Sequence, residues 1–145
     1  MENTFIAQSS TLIDASPSKV WDALINPEMI KRYLYGTEAL SDWKQGSPIT
    51  YKGIWEGKPY EDKGIIKKIE PEKLLQSTYW SSMSGTEDRP ENYVLVTYEL
   101  TGEGDKTRLT ITQDNCKTEQ SRQHSQDNWN MVLATLKQLL ETDAK

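Results

Sequence analysis

Few side chains in this sequence could do chemistry. The chain has one histidine, His124, and one cysteine, Cys116. An imidazole can serve as a general base or a metal ligand, and a thiolate as a nucleophile. His124 lies in "EQSRQHSQDNWNMVLATLKQLLE", Glu119 to Glu141. On a helical wheel with Trp129 at zero, His124 falls near ~220°, while the apolar residues of the segment centre near ~340°. The histidine is therefore expected on the solvent side. Cys116 precedes this segment without concentrated positive charge around it, so a structural thiol is expected. These two are the only thiol and imidazole, whereas a zinc site normally takes about four protein ligands, so no metal is expected.

Other catalytic patterns are missing too. There is no G-x-S-x-G turn, and a lone solvated histidine does not build a Ser-His-Asp triad. "TGEGDK" has two glycines but stands between strand patterns, so it is not a nucleotide loop. The adjacent carboxylates Glu61-Asp62 and Glu87-Asp88 lie in polar, turn-like stretches and are expected to be solvated. No catalytic residue is assigned and no cofactor is expected.

The aromatic content is more informative. Five tryptophans and seven tyrosines stand against one phenylalanine. Such side chains combine apolar area with a polar tip, which suits a cavity wall that must also hold a ligand. Tyr51, Trp55 and Tyr98 fall on faces expected to point inward, as does Gln113. Met29 and Tyr33 belong to a short helix that could close an entrance. Trp80 and Met83 precede a Ser/Gly loop that could border a mouth. Trp129 sits centrally on the apolar side of the C-terminal helix. A solid aromatic core is the plainer alternative. Arg122 falls near ~20° on the wheel, on the sheet-facing side. Its planar fork suits an anionic or carbonyl-bearing ligand head. Alternatively, it pairs with an acid such as Glu119 or Asp114 and covers apolar surface with its stem.

The elements that would hold these residues can be laid out in order. Thr4 to Ile13 is a plausible first strand. Ser16-Pro17 and Asn26-Pro27 each pair an N-cap residue with a proline at the first helical position, predicting short helices over 17–25 and 27–34 with a kink between them. From about residue 38 to 115 the apolar period is two. Ile49, Tyr51, Gly53 and Trp55 alternate, as do Val94, Val96, Tyr98 and Leu100, and Leu109, Ile111 and Gln113. Turns are expected at "EGKP", at Glu70-Pro71-Glu72-Lys73 and at "TGEGDK". Trp129, Val132, Leu133, Leu136, Leu139 and Leu140 form one helical stripe. The pattern is an α+β arrangement: an antiparallel sheet of six to seven strands, curved around one long C-terminal helix, with two short helices after the first strand.

The 145 residues are read as a single domain, 1-145. A net charge of -5 with interleaved signs argues against nucleic acid. The single cysteine, the lack of a signal-like N-terminus and the lack of a long apolar run predict a cytoplasmic protein without a membrane partner.

The strings "SPSKVWDALINPEMIKRYL", "SDWKQGSPITYKGIW", "GIIKKIEPEKLLQSTYW", "VTYELTGEGDKTRLTITQDN" and "NWNMVLATLKQLLE" resemble the START-like (SRPBCC) superfamily. Within it they are most similar to the C-terminal domain of the activator of Hsp90 ATPase. The resemblance covers nearly the whole chain. It implies the helix-grip fold, in which a cavity can lie between sheet and long helix. It also implies three functional expectations. The first is non-catalytic binding of a hydrophobic small molecule. The second is contact with an Hsp90-type chaperone in a stress response. The third is a cyclase or hydrolase activity like that of some relatives. The residues expected to meet a ligand are Met29, Tyr33, Tyr51, Trp55, Trp80, Met83, Tyr98, Gln113, Arg122 and Trp129.

Overall fold

A computed structural model describes residues 5–34, 36–81 and 86–143, with the backbone alone for Trp55 and Asp143. Strand β1 is Phe5–Ile13, followed by helices α1 (Pro17–Ile25) and α2 (Pro27–Tyr33). Six further strands follow: β2 (Glu38–Ser41), β3 (Pro48–Trp55), β4 (Lys58–Glu70), β5 (Leu74–Ser81), β6 (Val94–Glu103) and β7 (Lys106–Cys116). Helix α3 spans Glu119–Asp143. The seven strands form one antiparallel sheet in the order β1-β7-β6-β5-β4-β3-β2. This is the arrangement expected from the sequence pattern, and it is the helix-grip fold that the resemblance implied.

Local chemistry explains the starts and turns. The Ser16 hydroxyl accepts from Lys19 N at 3.3 Å, and Asn26 Oδ1 accepts from Glu28 N at 3.0 Å. Each cap satisfies a donor that the first helical turn leaves free, and the proline beside it has no N–H to satisfy. Between β3 and β4 the two-residue loop Glu56-Gly57 has φ of 50° and 81°. Positive φ at both positions is the twist that a tight hairpin favours.

Strand β4 has an irregularity that decides which side chains face inward. Register with β5 shifts between Ile66 and Lys68. Before this bulge Asp62, Gly64 and Ile66 are the buried residues; Ile65 is 44% exposed while Ile66 is fully covered. A bulge inserts one residue and so exchanges the two faces along the strand. Nearby, a Cβ at Gly64 would stand 1.7 Å from the Thr78 carbonyl oxygen. Only glycine allows β4 and β5 to approach so closely there. Ile65 N donates to the Thr78 hydroxyl at 2.9 Å.

The core lies between the concave face and the helices. It includes Ile13, Val20, Trp21, Leu24, Ile30, Ile49, Ile66, Leu75, Val96, Leu109, Ile111, Leu133, Leu136 and Leu140. Helix α3 runs closest to β1 and makes lesser approaches to β7, α2 and α1. Three polar links tie it to the β1 region: Asn130 with the Ser9 hydroxyl, Lys137 Nζ donating to Leu12 O at 2.8 Å, and Asp14 N donating to the Glu141 carboxylate at 2.9 Å. Among the described residues no helix is long and apolar enough to cross a membrane.

Candidate functional site

On the concave face, β3 and β4 place Tyr51 directly opposite Asp62. From β5, Tyr79 shares that face, and its hydroxyl donates to Asp62 Oδ2 at 2.5 Å. The Tyr51 and Tyr79 rings tilt at 55° with centroids 6.3 Å apart. Asp62 is 8% exposed, and its Oδ1 has no hydrogen-bond partner among the described residues. It is the one buried Asp, Glu, Lys, Arg or His among the described residues. A buried carboxylate oxygen with nothing to accept from is costly, and natural cores rarely contain one without a reason.

Two further aromatics continue this interior. The Tyr98 ring, from β6, meets Trp129 of α3 edge-on at 6.0 Å. Trp129 Nε1 donates to Gln113 Oε1 at 2.8 Å, and Gln113 Nε2 donates to the Ser125 hydroxyl at 3.2 Å. Gln113 thus uses both ends of its amide to clasp α3 onto β7. Tyr33, on α2, is buried and donates its hydroxyl to Ala23 O at 2.9 Å.

Burial is the main cause that pushes the Tyr33, Tyr51, Tyr79 and Tyr98 hydroxyls well above the ordinary tyrosine range. The Asp62 charge adds to this for Tyr51 and Tyr79. For Tyr98 the neighbouring tyrosines add to it. At neutral pH these phenols stay protonated. A catalytic acid or base works best with a pKa near the operating pH, and these hydroxyls are driven away from it. The group is suited to hydrogen-bond recognition and to packing against a flat or apolar body.

The structure brings together Tyr33, Tyr51, Tyr98, Gln113 and Trp129, five of the residues expected from the sequence. Met29 is half-buried against the core, with Arg32 Nη1 3.9 Å from its sulfur. Arg122 is turned to its own helix. Its guanidinium donates to Glu119 Oε1 at 2.8 and 2.6 Å, to Gln126 Oε1 at 2.7 Å and to Gln123 Oε1 at 3.0 Å. Pairing with Glu119 was the alternative open at the sequence level, and these bonds include that pairing.

Trp80 requires a correction. Tyr79 points inward, so its neighbour Trp80 points outward. It stacks on Tyr93 at 6.4 Å and 27°, donates Nε1 to the Thr86 hydroxyl at 3.1 Å, and has Lys63 Nζ 5.8 Å from its ring centre. It therefore lies on the convex face, away from the interior group. Met83 and the Trp55 side chain lie outside the described residues.

Asp62 is a second correction, because it was expected in a solvated turn and is instead buried in a strand. Asp62 and Tyr79 are the members of this interior group that were not among the expected ligand-facing residues. Of the remaining chemistry-bearing residues, His124 is exposed beside a surface hollow lined by Glu119, Gln120, Gln123 and Asp127, and Cys116 is buried. Among the described residues no three His, Cys, Asp or Glu side chains converge as a metal site.

Comparison with known proteins supports this fold and supplies a family. No curated protein sequence matches the chain. A Cytophaga hutchinsonii protein with a known solution structure is 48% identical over 99% of both chains, with a TM-score of 0.87. The Aha1 dimer from Colwellia psychrerythraea is 21% identical, over 94% of this chain and 96% of that one, with a TM-score of 0.74. CalU16 from Micromonospora echinospora is 21% identical, over 98% of this chain and 87% of that one, with a TM-score of 0.72. These last two are likenesses of fold. The family model described as activator of Hsp90 ATPase homolog 1-like protein matches residues 14–141, and the chain belongs to that family.

Proposed function

We propose that this protein is a non-catalytic, cytoplasmic binding protein that holds an apolar or aromatic small molecule between the concave face of its sheet and α3. The observation that carries this reading is Asp62: a buried carboxylate with one free oxygen, set among the rings of Tyr51 and Tyr79. A core built for stability alone gains nothing from such a group. A ligand with a hydrogen-bond donor would satisfy Oδ1, while Tyr98 and Trp129 offer apolar surface to its body. The raised tyrosine hydroxyls support binding over proton transfer.

A thermal-shift screen with hydrophobic compounds tests this. A ligand at about 100 times its Kd stabilises the folded state by about 2.7 kcal/mol. Hits should shift the amide resonances of Tyr51, Asp62, Tyr79, Tyr98 and Trp129. Shifts confined to the convex residues Trp80 and Tyr93, or no hits at all, would count against an interior site.

Family membership supports a second reading, docking on an Hsp90-type chaperone. Its test is whether the purified protein raises the ATPase rate of such a chaperone. No stimulation and no complex on gel filtration would remove it.

A further inference from the structure

Two Tyr–Asp pairs occur among the described residues, and they differ in one component. On the convex side the Tyr93 hydroxyl donates to Asp88 Oδ1 at 2.5 Å, and Lys63 forms an ion pair with Asp88. The Lys63 ammonium also lies 5.8 Å from the centre of the Trp80 ring. That pair is completed by a cation beside an aromatic face. On the concave side the Tyr79 hydroxyl donates to Asp62 at the same 2.5 Å, and the Tyr51 and Tyr79 rings stand beside the carboxylate. Among the described residues no Lys, Arg or His pairs with Asp62. The next residue, Lys63, points out to Asp88, and Arg122 is held by Glu119.

A buried carboxylate favours a partner that brings both a positive charge and N–H donors. Aromatic faces favour the same charge through their negative quadrupole. Helix α3 closes most tightly along β1, while β3, β4 and β5 make no comparable approach to it. Asp62 lies across the sheet from that seam, on β4.

We infer that the preferred ligand carries a protonated primary or secondary amine on an apolar or aromatic body. The ammonium donates to Asp62 Oδ1 between the Tyr51 and Tyr79 rings. The body extends toward Tyr98 and Trp129. This rests on the interior-binding reading above and adds the charge of the ligand to it.

Three probes of one shape separate the ideas: 2-naphthylmethylamine, 2-naphthylmethanol and 2-naphthoic acid. Each is titrated into wild type and Asp62→Asn at neutral pH, followed by amide resonances and tryptophan fluorescence. Retained chemical-shift dispersion shows that the variant is folded. The amine should bind about tenfold tighter than the alcohol in wild type, with the acid weakest. Asp62→Asn should remove about tenfold from the amine and change the alcohol by less than about twofold. Equal affinities for amine and alcohol, unchanged by Asp62→Asn, would overturn the ammonium assignment and leave interior binding standing. If none of the three probes perturbs the interior resonances, both fall together.

Discussion

The convex and concave faces of the sheet carry the same local motif in different surroundings. Outside, Asp88 is about 40% exposed and is met by both Tyr93 and Lys63. The hydrogen bond to Lys63, then that to Tyr93, holds its carboxyl below the usual range. Inside, Asp62 is 8% exposed and, among the described residues, accepts from Tyr79 alone. A solvated pair contributes little, because water already satisfies both ions. A covered acid lacking a cation is a liability for folding. The contrast separates a surface staple from a covered acid that no cation meets among the described residues.

Replacement of the two tryptophans should give the largest difference. Trp129→Ala is expected to lower stability by about 3 kcal/mol, since it removes both the contact with Tyr98 and the Gln113 clasp. Trp80→Ala, on the outer face, should lose about 1 kcal/mol or less. Urea denaturation of both variants checks this; equal losses would erase the distinction between the faces.

Alkaline titration comes next. The Tyr33, Tyr51, Tyr79 and Tyr98 hydroxyls are raised above the unfolded value of 10.0. Between that value and their folded ones, the folded state binds more protons than the unfolded state. Stability is therefore full below about pH 10 and falls as pH rises above it. Phenolate absorbance from these four should appear together with loss of circular dichroism. Their ionisation in a still-folded protein would contradict the interior described.

A smaller effect separates the two acids. Asp62→Asn removes a buried charge while keeping an acceptor for Tyr79, and is expected to stabilise the empty protein by about 1 kcal/mol. Asp88→Asn breaks the pair with Lys63 and should cost no more than about 0.5 kcal/mol. Melting curves of the two variants should therefore move in opposite directions. A loss on Asp62→Asn would mean that the acid stabilises the fold after all.

How much of this was legible in the sequence depends on how local each cause is. Ser16-Pro17 and Asn26-Pro27 announce their helices because cap and proline act within one turn. The leucine stripe of α3 announces its buried side for the same reason. Asp62 was hidden by the bulge in β4. Counted back by twos from the half-buried Ile69, the inward positions would be Lys67, Ile65, Lys63 and Glu61, which puts Asp62 outside. One extra residue reverses that phase, and nothing in "YEDKGIIKKIEP" marks where it falls. Trp80 was misplaced for a related reason. Both faces of "LLQSTYW" carry apolar residues, so only pairing with β4 and β6 fixes which one is covered. The bonds of Arg122 were one of two outcomes that its position allowed.

The pairing of β1 with β7 has a consequence for synthesis. Ser10 and Thr110 are register partners 100 residues apart, so at about 5–20 residues per second β1 leaves the ribosome roughly 5–20 s before its neighbour exists. During that interval "FIAQSSTLI", which contains no charged residue, is a strand with both edges open. Until β7 is made, the segment that α3 finally secures has no strand to pair with.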